Sequence, residues 1–465
     1  TAARREGRRM SGAARIVIES RPGEVRACAV DDQDRPLAFR IERETDPSLV
    51  GAIHLGRVRA VRKEIGAAFV DIGVSDDGFL NIRDAAADAL GTEVREGAAI
   101  LVQINRDAEG DKGPALSAAI DIAGASLVLT PGRAGLGLSG RISDNAERTR
   151  LKALFQDLDT TVHGLVVRTA AATLSDDAVR GELFALQNRW QDLQDRLQGI
   201  NAPACVHPAP GLVARMISQF AGPDTREILV DDAELVTGLA VDPQPVLAPA
   251  HTPAFAAAGL DDAFDAALSP YVALPSGGSL IITETPAMTT VDVNAGRTAA
   301  GNPERLALDT NIEAAAALAR ALMVRGIGGL IAVDFLKMRD AANQKRVLAA
   351  LNTAFRDHPE KPRTGTFSRF GLVDIVRRSR GASLGERVLT YTQTLSPESL
   401  ALDALARIAR GRGAGATLRC GAEVGDCLNG PLAEIRKNLE RRLGFVIRVE
   451  PVPGAGADTL EIETR

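Results

Sequence analysis

The sequence predicts a multidomain α+β protein, and three observations carry that expectation. A length of 465 residues with 45% hydrophobic and 25% charged side chains is enough for two to four compact cores. Short β-type runs cluster near the start and in the middle, with helical periods between them. No window reaches the ~18 apolar residues a spanning helix needs, and the opening "TAARREGRRMSGAARIV" lacks the apolar core of a secretory signal, so a cytoplasmic protein without a membrane span is expected.

Residues 1–13 read as a tail, basic over the first nine, ahead of a natural start near Met10. Cys28, Cys205, Cys420 and Cys427 form no CxxC pair, which favours free thiols over disulfides or a cysteine zinc site. The five histidines form no HxxxH or HExxH. A net charge of -5 argues against general nucleic-acid affinity, yet residues 361–387 hold seven cationic side chains against Asp374 and Glu386. Lys361, Arg363, Arg369, Arg377, Arg378, Arg380 and Arg387 form either a phosphate-neutralising stripe or a solvated basic face.

Residues 14–46 contain "ARIVIES" and "VRACAVDD", two strands of a small sheet. Between 47 and 123, "LGRVRAV", "IGAAFVDIG", "DGFLNI", "AAILVQINR" and "PALSAAIDI" make five strands, the count of an OB-type barrel. Phe69 and Phe79 lie on two of them, as base-stacking rings or as core. Residues 124–203 look inserted: a strand "SLVLT", two helical patterns and a strand "GLVVRT". Gly135, Gly137 and Gly140 spell GxGxxG, but "PGRA" separates strand from glycine and "RISDN" separates glycine from helix, so a flexible loop is expected rather than a dinucleotide site. Residues 204–263 read as helix, strand and Pro-rich connector, and the last large unit spans 264–390.

Within that unit "GSLIITETPAMTTVDVNAG" reads as a hairpin turning at Thr285 to Met288. Strand alternation puts Val291 and Val293 on one face and Asp292 and Asn294 on the other. A helix follows, with Asn302 as N-cap, Pro303 at its first position and Gly326 at its end. The apolar strand "GGLIAVDFLKM" then carries Asp334, and a return beside the first strand would bring the two aspartates together. Close carboxylates repel unless a cation lies between them, and oxygen ligands suit Mg or Mn. The alternative is that each aspartate caps a strand or pairs with an arginine such as Arg297.

At these residues the sequence resembles the catalytic region of the bacterial ribonuclease E/G family. "LPSGGSLIITETPAMTTVDVNAGR", "NIEAAAALARALMVRGIGGLIAVDFLKM" and "SRFGLVDIVRRSR" are similar to its characteristic segments in order and spacing, and upstream so are "IGAAFVDIG", "DGFL", "DKGPALS" and "GLVVRTA". The resemblance implies an RNase H-like subdomain split between 14–46 and 204–263, an OB-fold RNA-binding barrel over 47–123, and an inserted 5′ sensor over 124–203. It further implies a DNase I-like catalytic subdomain over 264–390, followed by a small α+β C-terminal domain over 391–465. The implied activity is Mg-dependent endoribonuclease cleavage of single-stranded RNA, leaving a 5′ phosphate and a 3′ hydroxyl. By position, Asp292 and Asp334 would ligate the metal with Asn294 in support. Phe69, Phe79 and Lys112 would hold RNA in the barrel, and Arg363 and Arg369 would add phosphate contacts. Val128, Arg168 and Thr169 would line a pocket for a 5′ monophosphate, to which an arginine beside a hydroxyl is suited.

Three departures qualify the resemblance. "GERVLTYTQTLSPESL" lacks the cysteine pair through which members of the family share zinc, so no zinc and no zinc-linked oligomer are expected. Ala295 stands where Ser or Thr is usual, and Lys337 where a second aspartate is common. The partner-recruiting extension of the larger members is not expected after residue 465. The alternative function is an RNA-binding protein that keeps the barrel and basic segment with weak catalysis.

Overall fold

The computed structural model describes residues 13–464 except 83–93, 109, 111, 141, 143, 159, 161–162, 223, 238–242, 297–301, 357, 359, 380, 392–393, 412, 453–455 and 457–458. Arg297 and Arg380 lie outside the described residues. The protein has a mixed α+β architecture in two compact units, residues 1–389 and 390–465. No helix among the described residues is long and apolar enough to cross a membrane.

Among the described residues the larger unit contains four sheets. The first joins distant parts of the chain: Arg15–Arg21, Glu24–Val30 and Pro36–Arg43 run antiparallel, and Glu227–Val230 lies parallel to the first of them. Alternation buries Ile16, Ile18, Ala27 and Ala29 against the Leu212–Phe220 helix on one side and Val17, Cys28 and Phe39 against Phe255 and Phe264 on the other. Ala13, at the end of the expected tail, is buried, and its N–H donates to the Phe220 carbonyl at 2.8 Å.

A closed five-stranded barrel follows. Its strands are Ile53–Arg62, Ala67–Asp71, Gly78–Asn81, Ala99–Arg106 and Ala115–Ser117. In spatial order they run first, second, third, fifth, fourth, and the fourth pairs back with the first from Ile53↔Gln103 to Arg57↔Ala99. The expected last strand is shorter than its apolar run. Gln103 donates to the Asp121 carbonyl at 3.0 Å and accepts from its N–H at 2.8 Å, taking the place of ladder bonds as the chain leaves the barrel. Ala204–His207 adds to the Ile53–Arg62 strand instead of joining the first sheet.

Leaving the barrel, Ile122–Ala123 pairs with Leu127–Pro131, which pairs with His163–Val167. The glycine-rich segment is not a loop throughout: Leu136–Leu138 is a strand parallel to His163–Val167, and Gly137 lies within it. Among the described residues the next helix starts at Asn145, not at Gly140, which does not match the dinucleotide geometry. The Asp176–Leu197 helix closes this core with Leu186, Trp190 and Leu193.

The fourth sheet runs Tyr271–Ala273, Ser279–Glu284, Thr289–Asn294, Gly329–Asp334, Leu372–Arg377 and Arg363–Thr364. One face is covered by the Pro303–Arg325 and Ala341–Ala354 helices, where Leu318, Leu322, Val347 and Leu351 meet Leu280, Val291, Val293, Ile331 and Val333. The Pro303–Arg325 helix starts as expected: the Asn302 side chain accepts from Glu304 N–H at 2.9 Å and Pro303 follows. It ends at Gly326, φ +72°. Arg40 of the first sheet donates to the Met323 and Val324 carbonyls at that end, where the helix dipole is negative.

In the smaller unit Ala416–Cys420 lies between Ile447–Pro451, parallel to it, and Leu460–Thr464, antiparallel. The helices Pro397–Arg410, Ala422–Asn429 and Ala433–Leu443 pack Leu405, Ile408, Val424 and Leu428 against Leu418.

Candidate functional site

The open face of the fourth sheet carries the acidic residues. Thr289–Asn294 alternates buried and exposed, with Val291 and Val293 inward and Asp292 and Asn294 outward. The chain returns through the Pro303–Arg325 helix to a parallel neighbour, whose register pairs Asp292 with Asp334. Both side chains are exposed, one strand spacing apart, about 4.8 Å. Asn294 Nδ2 donates to Asp292 Oδ2 at 2.8 Å, while among the described residues Asp334 has no side-chain hydrogen bond or ion pair. The strand ends at Asn294, and Gly296 then passes close to the turn at Ser276 and Gly277: a Cβ added there would lie 2.8 Å from the Gly277 carbonyl carbon.

The segment after Asp334 is clamped by residues the sequence reading missed. Asn311, fully buried, donates Nδ2 to the Leu336 carbonyl and accepts the Leu336 N–H on Oδ1, both at 2.9 Å. Glu304 accepts from the N–H groups of Arg339 at 2.9 Å and Asp340 at 3.1 Å, and from Asn343 Nδ2 at 3.0 Å. The Arg339 N–H bond, with Asn343 and Asp340, holds its carboxyl below the usual glutamate range. The available signal for Asn311 is a polar residue on the apolar face of a helix, three places after Leu308 and four before Ala315.

A third carboxylate, Asp374, is exposed on the same sheet, opposite Ala332 and therefore one row from Asp334. No group of three or more His, Cys, Asp or Glu able to hold a metal exists among the described residues. Two carboxylates nonetheless suit Mg, which keeps several waters and takes substrate phosphate oxygens to complete its shell. Ala295 and Lys337 are both exposed beside this pair.

In the barrel, Phe69 and Phe79 are register partners with ring centroids 6.1 Å apart at 82°. Phe79 is exposed and Phe69 half-buried, so the pair forms an outward aromatic surface. Lys112 is exposed next to Gly113, whose added Cβ would collide with the Asp77 carbonyl. Because Phe79 N–H donates to the Pro114 carbonyl at 2.8 Å, this segment runs alongside the Phe79 strand.

Val128, Arg168 and Thr169 also converge. Val128 pairs with Val166, and Arg168 follows that strand, its N–H donating to Ser126 O at 2.8 Å. Arg168 Nη1 donates to the Gly124 carbonyl and to Ser218 Oγ, both at 3.1 Å, and Thr169 Oγ1 lies 3.1 Å from Ser139 Oγ. Glu182 underpins the turn: it accepts the N–H groups of Ser126 at 2.9 Å and Leu127 at 3.2 Å and the Ser126 hydroxyl. An added Cβ at Gly124 would collide with the same carboxylate.

The basic segment is not one face. Arg377 is buried in an ion pair with Glu360 at 2.8 Å, and Arg387 pairs with Asp46 at 3.3 Å. Lys361, Arg363, Arg369 and Arg378 are exposed. Arg363 pairs with Val376, four residues along its strand from the Asp334 row, about 13 Å. Arg369 lies at the Asp334 end, beyond Leu372. Nearby, Glu284 has a carboxyl raised above the usual range by burial, with Glu386 adding and a Ser383 hydrogen bond and Arg325 opposing.

Residues 121–380 match the model of the Ribonuclease E/G family. Ribonuclease E of Haemophilus influenzae is 32% identical over 396 residues, 80% of this chain and 42% of that protein. Ribonuclease E of Escherichia coli is 31% identical over 397 residues, 80% of this chain and 37% of that protein. Ribonuclease G of Haemophilus influenzae is 31% identical over 403 residues, 81% of this chain and 82% of that protein. The chain thus spans less than half of these two ribonuclease E relatives and most of the ribonuclease G.

Proposed function

The chain belongs to the ribonuclease E/G family, and on that premise we propose that it is an endoribonuclease of RNA processing and decay, cutting single-stranded RNA with Mg, or Mn in its place, at Asp292 and Asp334. The observation that carries the proposal is their exposed, register-matched placement on adjacent parallel strands. A bound divalent cation would supply an activated water and neutralise charge on the phosphate. Asp292 and Asp334 would hold it through their oxygens. Asn294 orients Asp292 by its 2.8 Å hydrogen bond, and Asn311 and Glu304 keep the chain after Asp334 in place.

The remaining assignments belong to the same proposal. The strand order of the barrel supports an OB-fold, and its paired aromatics with Lys112 would stack and neutralise RNA. The first sheet would be RNase H-like and the fourth DNase I-like. Val128, Arg168 and Thr169 would receive a 5′ monophosphate that stimulates cleavage, with Arg363 and Arg369 as further RNA contacts.

The test is cleavage of a single-stranded RNA with and without Mg, together with RNA binding, for wild type and Asp292→Asn. Mg-dependent cleavage that Asp292→Asn loses by more than about a hundredfold, with binding retained, supports the enzyme. Binding without cleavage in the wild type supports the weakly catalytic alternative. Undiminished cleavage by Asp292→Asn rejects the assigned carboxylates.

A further inference from the structure

Phe370 is 74% exposed, more than any other aromatic residue described. Only 3% of the chain is aromatic, and this ring stands in water on an ordered backbone. The backbone there is held tightly. Gly371 N–H donates to the Ser368 carbonyl at 3.0 Å, and Ser368 N–H donates to Leu372 O at 2.8 Å. The N–H groups of Phe370 and Leu372 donate to Ser368 Oγ at 3.3 and 3.2 Å. Gly371 closes the turn at φ +91°, which disfavours any other residue. Arg369 places its guanidinium carbon 4.7 Å from the Phe370 centroid, leaving the opposite face of the ring open.

Register locates this turn. Leu372 is the partner of Asp334, which is the partner of Asp292. Phe370 lies two residues beyond Leu372, at most about 7 Å of chain, at the strand end where Asn294 stands. A polyanion whose reacting phosphate is held at the two aspartates therefore passes an exposed ring and a guanidinium at once.

Resting on the RNA-cleavage reading above, we propose that Phe370 is a stacking platform for the nucleobase next to the scissile phosphate, with Arg369 contacting an adjoining phosphate. Every base has an apolar π-face, so the platform fixes the register of the strand over the carboxylates without choosing its sequence.

The full chain is mixed, in EDTA, with single-stranded RNA oligonucleotides carrying one 2-aminopurine at successive positions. The wild type is expected to quench the probe at the position beside the bond that is cut when Mg is supplied, separately from any position that stacks on Phe69 and Phe79. Phe370→Ala should lose that quenching and weaken binding about 5- to 150-fold, and Phe370→Trp should restore both. Arg369→Ala should weaken binding with a shallower salt dependence and keep the quenching. Quenching beside the cut bond that persists in Phe370→Ala, or is absent there from a wild type that binds and cuts the RNA, overturns the platform and leaves the cleavage reading standing. A wild type that does not bind the strand overturns both.

Discussion

Asp292 and Asp334 stand opposite each other on adjacent parallel strands, both turned to the open face of a sheet whose other face is packed with helices. Parallel neighbours need a crossover, and the Pro303–Arg325 helix supplies it. Among the described residues the Asn294 amide is the side-chain partner of Asp292, on one of its two carboxylate oxygens.

Asn294→Ala removes that amide without touching either carboxylate. Cleavage is expected to fall about 10- to 100-fold, with a higher Mg concentration needed for half-maximal rate. A Mg titration of initial rates measures it; unchanged rate and midpoint would show that Asp292 needs no orienting partner.

Asn311→Leu keeps the helix apolar but leaves both Leu336 backbone groups without their partner. A loss of about 2–4 kcal/mol in unfolding free energy is expected, from two buried groups unsatisfied at once. Urea denaturation measures the loss, and a midpoint equal to that of the wild type would mean water replaces the amide.

Glu284 binds its proton more tightly in the folded chain than an exposed glutamate does, chiefly through burial. The folded state is therefore favoured by this group at low pH, and that advantage is lost as pH rises from the ordinary glutamate range through the raised folded value. Glu284→Gln should flatten the decline in thermal stability over that window. Parallel pH profiles for the two proteins would refute the assignment.

Glu182→Ala releases the Gly124 to Leu127 turn on which Arg168 is anchored. The rate advantage of a 5′-monophosphate RNA over its 5′-hydroxyl counterpart is expected to fall toward one, with the 5′-hydroxyl rate unchanged. Equal rates for both substrates in the wild type would overturn the proposed 5′-monophosphate sensor.

Much of this was legible in residue order because it depends on local rules. Period-two alternation put Asp292 and Asn294 on one face; Asn302, Pro303 and Gly326 bounded the helix; five short runs marked the barrel. The basic segment misled, since composition counts charges without saying which are buried, and Arg377 is sealed against Glu360. The extent of the last barrel strand also escaped, since the long-range Gln103 bonds end it. Pairing register, the burial of Asn311, the reach of Glu182 to Ser126 and the place of Phe370 beside the aspartates join residues remote along the chain. Only the packed tertiary structure sets such contacts, because each requires the backbone of one element to be brought within hydrogen-bonding or strand-pairing distance of another.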